Sequence, residues 1–138
     1  MNDNERVFRT MLQHLGRKEF DACARYLAPD LHADWPYQPI PEAPLELHGA
    51  KALLDFIVAG TADFAPFNYR VDQVHELADP TRLIVEYASN TRYLPNGREY
   101  ANRYLGIFHF RDGQITYWRE YLNPEIIRRT MQEPSEKA

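Results

Sequence analysis

The feature that most constrains this chain is a change of hydrophobic period near Asn68. Before it, apolar residues recur at helical spacing; after it they follow a period of two. Four strands are predicted at roughly 68–77, 82–94, 98–110 and 114–122. Their separators ADPT, PNG and RDG are turn sequences, in which proline presets φ and glycine supplies positive φ. Four long strands joined by short turns make an antiparallel meander. Helices ahead of such a meander define an α+β domain, with helices packed on one face of a curved sheet.

The helices have identifiable faces and ends. Val7, Phe8, Met11, Leu12 and Leu15 share one stripe, with Asn2 and Glu5 placed as a capping box and Gly16 as a stop. Phe20, Cys23, Ala24 and Leu27 predict a second short helix ended by Pro29. HADWPY (32–37) reads as a short strand, and QPIPEAP (38–44) as a stiff, irregular rim. A third helix starts near Gly49 and buries Ala50, Leu53, Leu54, Ile57 and Val58. Asn123 and Pro124 match the N-cap and first position of a short C-terminal helix. No repeat or linker interrupts residues 1–138, which read as one domain.

The strands carry large apolar residues at both parities, Phe108 and Phe110 against Leu105 and Ile107. A sheet with one solvated face alternates cleanly, so both faces here are expected to be covered. Helices cover one; a pocket, a second subunit or both cover the other.

Composition excludes several functions. The net charge of −4 argues against a nucleic-acid surface. Only Arg128 and Arg129 are adjacent among scattered basic residues. A single cysteine, Cys23, rules out a disulfide framework and fits a reducing compartment. The start MNDNERVF lacks the blocks of a signal peptide, and the apolar run ALLDFIVAG is too short to span a bilayer. A cytoplasmic domain without membrane contact is expected. The five histidines show no HxxxH or HxH spacing, so metal and cofactor are both expected to be absent. Ser89 has no nucleophile elbow, and the isolated glycines form no phosphate-cradling loop.

The carboxylates carry the functional expectation. Glu120 lies in the aromatic stretch FHFRDGQITYWREYL, where burial would raise its pKa and suit it to proton transfer; the alternative is an ion pair with Arg103 or Arg119. With three-residue loops at PNG and RDG, Glu86, Gly106 and Trp118 form one cross-strand row and Ala88, Tyr104 and Glu120 the next. With two-residue loops the middle partners become Ile107 and Leu105. In both cases Glu86 and Glu120 share a face, roughly 10–12 Å apart at Cβ, whereas loops of unequal parity separate them. Asp34 is a second candidate acid; it and Trp35 point to opposite faces of a strand, so only one of the two lines a pocket. Tyr37, Tyr87, Tyr104 and Trp118 could line an aromatic cavity.

DWPY with its proline-rich tail, LHGAKALLDFI, IVEY and NRYLGIFHFRDGQITYWREYLNP together resemble the SnoaL-like branch of the ketosteroid isomerase and nuclear transport factor 2-like superfamily. The resemblance covers nearly the whole chain and is most specific in its rDGqI…wREYlnP ending. It implies a cone: a curved antiparallel sheet wrapped by three N-terminal helices, a cystatin-like α+β barrel around a deep pocket, and a homodimer. Function does not follow from fold. The positions where standard steroid isomerases carry tyrosine, acid and base correspond here to Met11, Gly106 and Trp35. Phenazine-biosynthesis relatives carry a catalytic glutamate where Glu120 stands, while their helix-borne histidine and serine correspond to Phe56 and Gly60. The expectation is a cofactor-free isomerase, cyclase or dehydratase acting on a small, largely apolar substrate. Glu120 and Asp34 would be catalytic, with Glu86, Trp118, Tyr104, Trp35, Tyr37 and Phe56 binding substrate. A non-catalytic small-molecule binder and a structural dimer are the competing expectations.

Overall fold

A computed structural model describes residues 2–132. The elements run α1 (Asp3–Gly16), α2 (Phe20–Ala24), β1 (Leu27–Asp34), β2 (Glu46–His48), α3 (Ala50–Thr61), β3 (Arg70–Glu76), β4 (Arg82–Tyr93), β5 (Arg98–Arg111), β6 (Gln114–Leu122) and α4 (Pro124–Met131). One curved sheet has the order β2-β1-β6-β5-β4-β3. Its β3–β6 half is the expected antiparallel meander, but β1 pairs parallel with β6, so the sheet is mixed. No described helix is long and apolar enough to cross a membrane.

Local chemistry fixes the helix ends. The Asn2 side chain accepts from Glu5 N at 2.7 Å, which satisfies one of the free amides opening α1. Asn123 does the same for Glu125 N at 3.0 Å, ahead of Pro124. The second helix is shorter than its apolar pattern predicts. It stops at Ala24, and Pro29 lies inside β1 instead of ending a helix. A strand tolerates proline where no ladder bond is needed. That holds here, because the β1–β6 register shifts between Leu27 and His32 and β2 pairing begins only at His32.

The core lies between the helices and the inner face of the sheet. Phe8 of α1 is fully buried, with its ring centroid 5.6 Å from Tyr87 and 4.6 Å from Phe108. A second cluster of Phe64, Tyr100 and Ile127 brings α4 against the sheet. Asn102 of β5, also buried, ties that helix down. Its Nδ2 donates to the Tyr100 hydroxyl (2.8 Å) and to Asn123 O (3.1 Å). Its Oδ1 accepts from Arg103 N at 2.9 Å. Asn102→Ala strands buried polar groups and should cost about 2–3 kcal/mol in chemical denaturation.

Turn geometry sets which side chains face the core. The β5–β6 hairpin has a two-residue turn, Asp112-Gly113, with φ of 52° and 77° as a primed turn requires. A register shift between His109 and Phe110 then sets Gly106 opposite Glu120, where the three-residue-loop register had Trp118. The β4–β5 loop spans four residues, because Tyr93 pairs with Arg98. Glu86 therefore pairs with Leu105, and Val85 takes the place beside Gly106. The parities are unequal, so Glu86 and Glu120 lie on opposite faces, contrary to the expected shared face.

Candidate active site

Glu120 projects from β6 on the inner face, with Trp118 and Leu122 two residues to either side. These three help line a cavity of about 340 Å³ under the curved sheet. Trp35, Phe56, Tyr69 and Tyr104 line it too, and Pro39 and Ile40 of the β1–β2 connection form part of its wall. Protein surrounds the Glu120 side chain, and the part still open to a water molecule faces this cavity.

The carboxylate is held by neutral donors. The Tyr87 hydroxyl donates a short hydrogen bond to Oε2, and Trp35 Nε1 donates to Oε1 at a long 3.4 Å. Burial pushes the Glu120 carboxyl above the usual range, and the hydrogen bonds from Tyr87 and Trp35, with the nearby Trp118 N–H, only partly offset that. No cation among the described residues forms an ion pair with it. Burial and the nearby carboxylate together push the Tyr87, Tyr69 and Tyr104 phenols up, so these hydroxyls stay protonated donors.

Two donors in the site lack a firm partner. Trp118 Nε1 is the one buried side-chain polar atom among the described residues without a hydrogen bond. It sits near enough to Glu120 to favour the ionised form, yet its geometry falls short of a bond. The Tyr69 hydroxyl likewise makes no hydrogen bond among the described residues, although its neighbour Tyr104 is held by Ser89 at 2.7 Å and Tyr100 at 3.2 Å. Unsatisfied donors on a cavity wall are places for a ligand oxygen or a bound water.

The expected site residues divide by face. Trp35, Phe56, Tyr104, Trp118 and Glu120 meet at the cavity. Glu86 points outward, half-exposed, and pairs with His75 Nε2 at 2.7 Å. Tyr37 is 62% exposed beside Tyr121. Asp34 also lies outside. Arg119 clamps it through Nε (2.8 Å) and Nη2 (3.0 Å), and the Tyr117 hydroxyl donates at 2.9 Å. Trp35, the next residue along β1's exit, turns inward instead. Glu86, Tyr37 and Asp34 are thus corrections to the expected cavity set; Tyr87, one of the expected aromatic residues, donates to the acid, and Tyr69 is the lining residue the set lacked. A correct β4–β5 loop length would have moved the inward position from Glu86 to its neighbour Tyr87.

The Arg119 clamp, then the Tyr117 hydrogen bond, hold the Asp34 carboxyl below its ordinary pKa. A depressed native pKa stabilises the fold above the unfolded value and loses that contribution as pH falls through the native one. Asp34→Asn should therefore cost about 1 kcal/mol at neutral pH. In thermal melts the deficit should close as the pH drops below about 4.

Residues 8–118 match the SnoaL-like domain, and the chain belongs to that family. It is 22% identical over 131 residues to YesE, an uncharacterized protein of Bacillus subtilis (strain 168), across 93% of this chain and 88% of that one. Among solved structures it resembles a Bacillus subtilis protein proposed to be an isomerase, with a TM-score of 0.84, 21% identity and coverage of 94% and 95% of the two chains. A Xanthomonas campestris protein proposed to be a polyketide cyclase superposes with a TM-score of 0.78, 23% identity and coverage of 94% and 97%. These likenesses define the nuclear transport factor 2-like fold; the chemistry must be argued from the cavity.

Proposed function

We propose that the protein is a cofactor-free acid/base enzyme that moves a proton on a small, largely apolar substrate bound in the cavity. The observation that carries this reading is a carboxyl group deep in an aromatic cavity, with neutral donors and no cation paired to it among the described residues. Such an acid has its pKa moved toward neutrality, where it both takes and returns a proton efficiently. The free donors Trp118 Nε1 and Tyr69 Oη would receive a substrate oxygen as negative charge develops on it. Isomerisation, cyclisation and dehydration all need this combination. A cavity of about 340 Å³ suits a compact ligand at the lower end of small-molecule sites.

Non-catalytic binding is the second reading, and one observation favours it. Asp34 and Glu86, the expected second acids, point away from the cavity, so neither can partner Glu120 in a two-group relay. Deuterium exchange separates the two. Small cyclic ketones and enones are incubated with the protein in D2O and followed by NMR, with Glu120→Gln in parallel. Catalysis predicts exchange in the native protein and its loss in the variant, with ligand affinity retained. Saturable binding without exchange in either protein would favour the binder. We also propose a homodimer through the outer sheet face, where Leu105 is 37% exposed; sedimentation velocity checks it.

A further inference from the structure

On the other face of the sheet, His32, Glu46 and His48 bring three ligand atoms within 4.8 Å of one another. The strands place them. β1 and β2 pair antiparallel with His32 opposite His48, and Glu46 lies two residues before His48 on the same side of β2. Gly49 N donates to Leu31 O and Trp35 N to Leu45 O. Those bonds mark 31/49 and 35/45 as hydrogen-bonded rows, which leaves 32/48 a non-hydrogen-bonded row, where side chains approach most closely. The two imidazoles stack with centroids 4.5 Å apart and planes 10° from parallel. Both Nε2 atoms face one carboxylate: His32 Nε2 lies 3.1 Å from Oε2 and His48 Nε2 3.6 Å from Oε1. Around a tetrahedral ion with bonds near 2.0–2.2 Å, ligand atoms stand about 3.3 Å apart. With the ligand atoms within 4.8 Å and the rings near parallel, the side chains must draw together and the imidazoles tilt toward each other to reach that.

We propose that His32, Glu46 and His48 form a site for a divalent transition metal on the β1–β2 ribbon. Two imidazoles with one carboxylate suit zinc, nickel, cobalt or copper, whereas magnesium and calcium require oxygen ligands. Water completes the coordination, since Glu46 and His48 are largely exposed. Asp34 adds negative charge near His32 but stands outside the cluster, its oxygens held by Arg119 and Tyr117. The bound ion would fasten β2, an edge strand of three residues, onto β1 and so pin both ends of the 35–45 connection. Spacing in the sequence hides the site, since the two histidines are sixteen residues apart and meet only by strand pairing.

Isothermal titration of the full, EDTA-treated and dialysed chain with zinc chloride tests this. One zinc per chain is expected, with a melting temperature that rises with zinc concentration. Loss even of a group that only supports a ligand weakens sites 10–100-fold, so His48→Ala and Glu46→Gln should each bind at least about tenfold more weakly. His75→Ala, at an outward His–Glu pair elsewhere, should bind as the native chain does. No saturable zinc binding, or unchanged affinity in His48→Ala, would overturn the proposal. Long-range 15N spectra give a second readout: zinc should shift the Nε2 signals of His32 and His48, and a shift confined to other histidines would refute the assignment.

Discussion

Replacing Glu120 with glutamine should yield a protein that melts higher at neutral pH and lacks the proposed proton-transfer activity. The two effects share a cause. Burial raises the carboxyl's pKa, so the native state holds that proton more tightly than the unfolded chain does. Its contribution is therefore most favourable below the unfolded value, near 4.3, and declines as pH rises through the native pKa. Above that, every folded molecule carries the cost of a buried charge. Glutamine removes it while keeping an oxygen to accept from Tyr87, and gives up the long Trp35 contact. The expected gain at pH 7–8 is about 1 kcal/mol, or about 3–5 °C, and it vanishes toward pH 4. Turnover should fall by about 10²–10⁴, the usual contribution of a positioned acid or base. Calorimetry across that pH range, paired with the exchange assay, reads both.

Gly106→Ala should lower both stability and activity. Gly106 lies directly opposite Glu120, and a Cβ there would stand 2.3 and 2.6 Å from Phe108 Cε2 and Cζ and 3.1 Å from Tyr87 Cε1. The Phe108 ring cannot swing away freely, since it is fully buried between Phe8, at 4.6 Å, and Trp118, at 5.2 Å. Overpacking of this kind costs about 1–3 kcal/mol. It also pushes on the ring whose hydroxyl holds Glu120, so activity should fall along with stability. The same packing explains why no acid stands at this position. Phe108 fills the space that a side chain on residue 106 would need. A native melting temperature and native exchange rate in Gly106→Ala would show that the ring yields.

Much of this architecture is legible from periodicity and punctuation. Asn2, Gly49, Asn123 and Pro124 mark helix ends, and the ADPT, PNG and RDG turns mark strand ends, because capping and turn chemistry act over a few residues. Glu120 stands out as a charge in an aromatic run. What eludes the sequence depends on counts of one residue. A four-residue β4–β5 loop in place of three, together with the β5–β6 register shift, decides that Tyr87 and not Glu86 faces the acid. Asp34 and Trp35 present a similar choice, in which the parallel pairing of β1 with β6 aligns Asp34 with Arg119 and leaves Trp35 to turn in. Parallel pairing joins distant segments and leaves no local signal. Pro29 illustrates the converse, a strong local signal overridden because the ladder is already broken where it lies.

All of the proposed chemistry depends on the Glu120 carboxyl residing in a dry hollow where ionisation is disfavoured. The most direct measurement is its titration by 13C NMR in glutamate-labelled protein, with the signal assigned by its absence in Glu120→Gln. The midpoint should lie clearly above the ordinary glutamate value of about 4.3 and move when a ligand fills the cavity. A midpoint at or below the ordinary value, indifferent to ligand, would contradict the account.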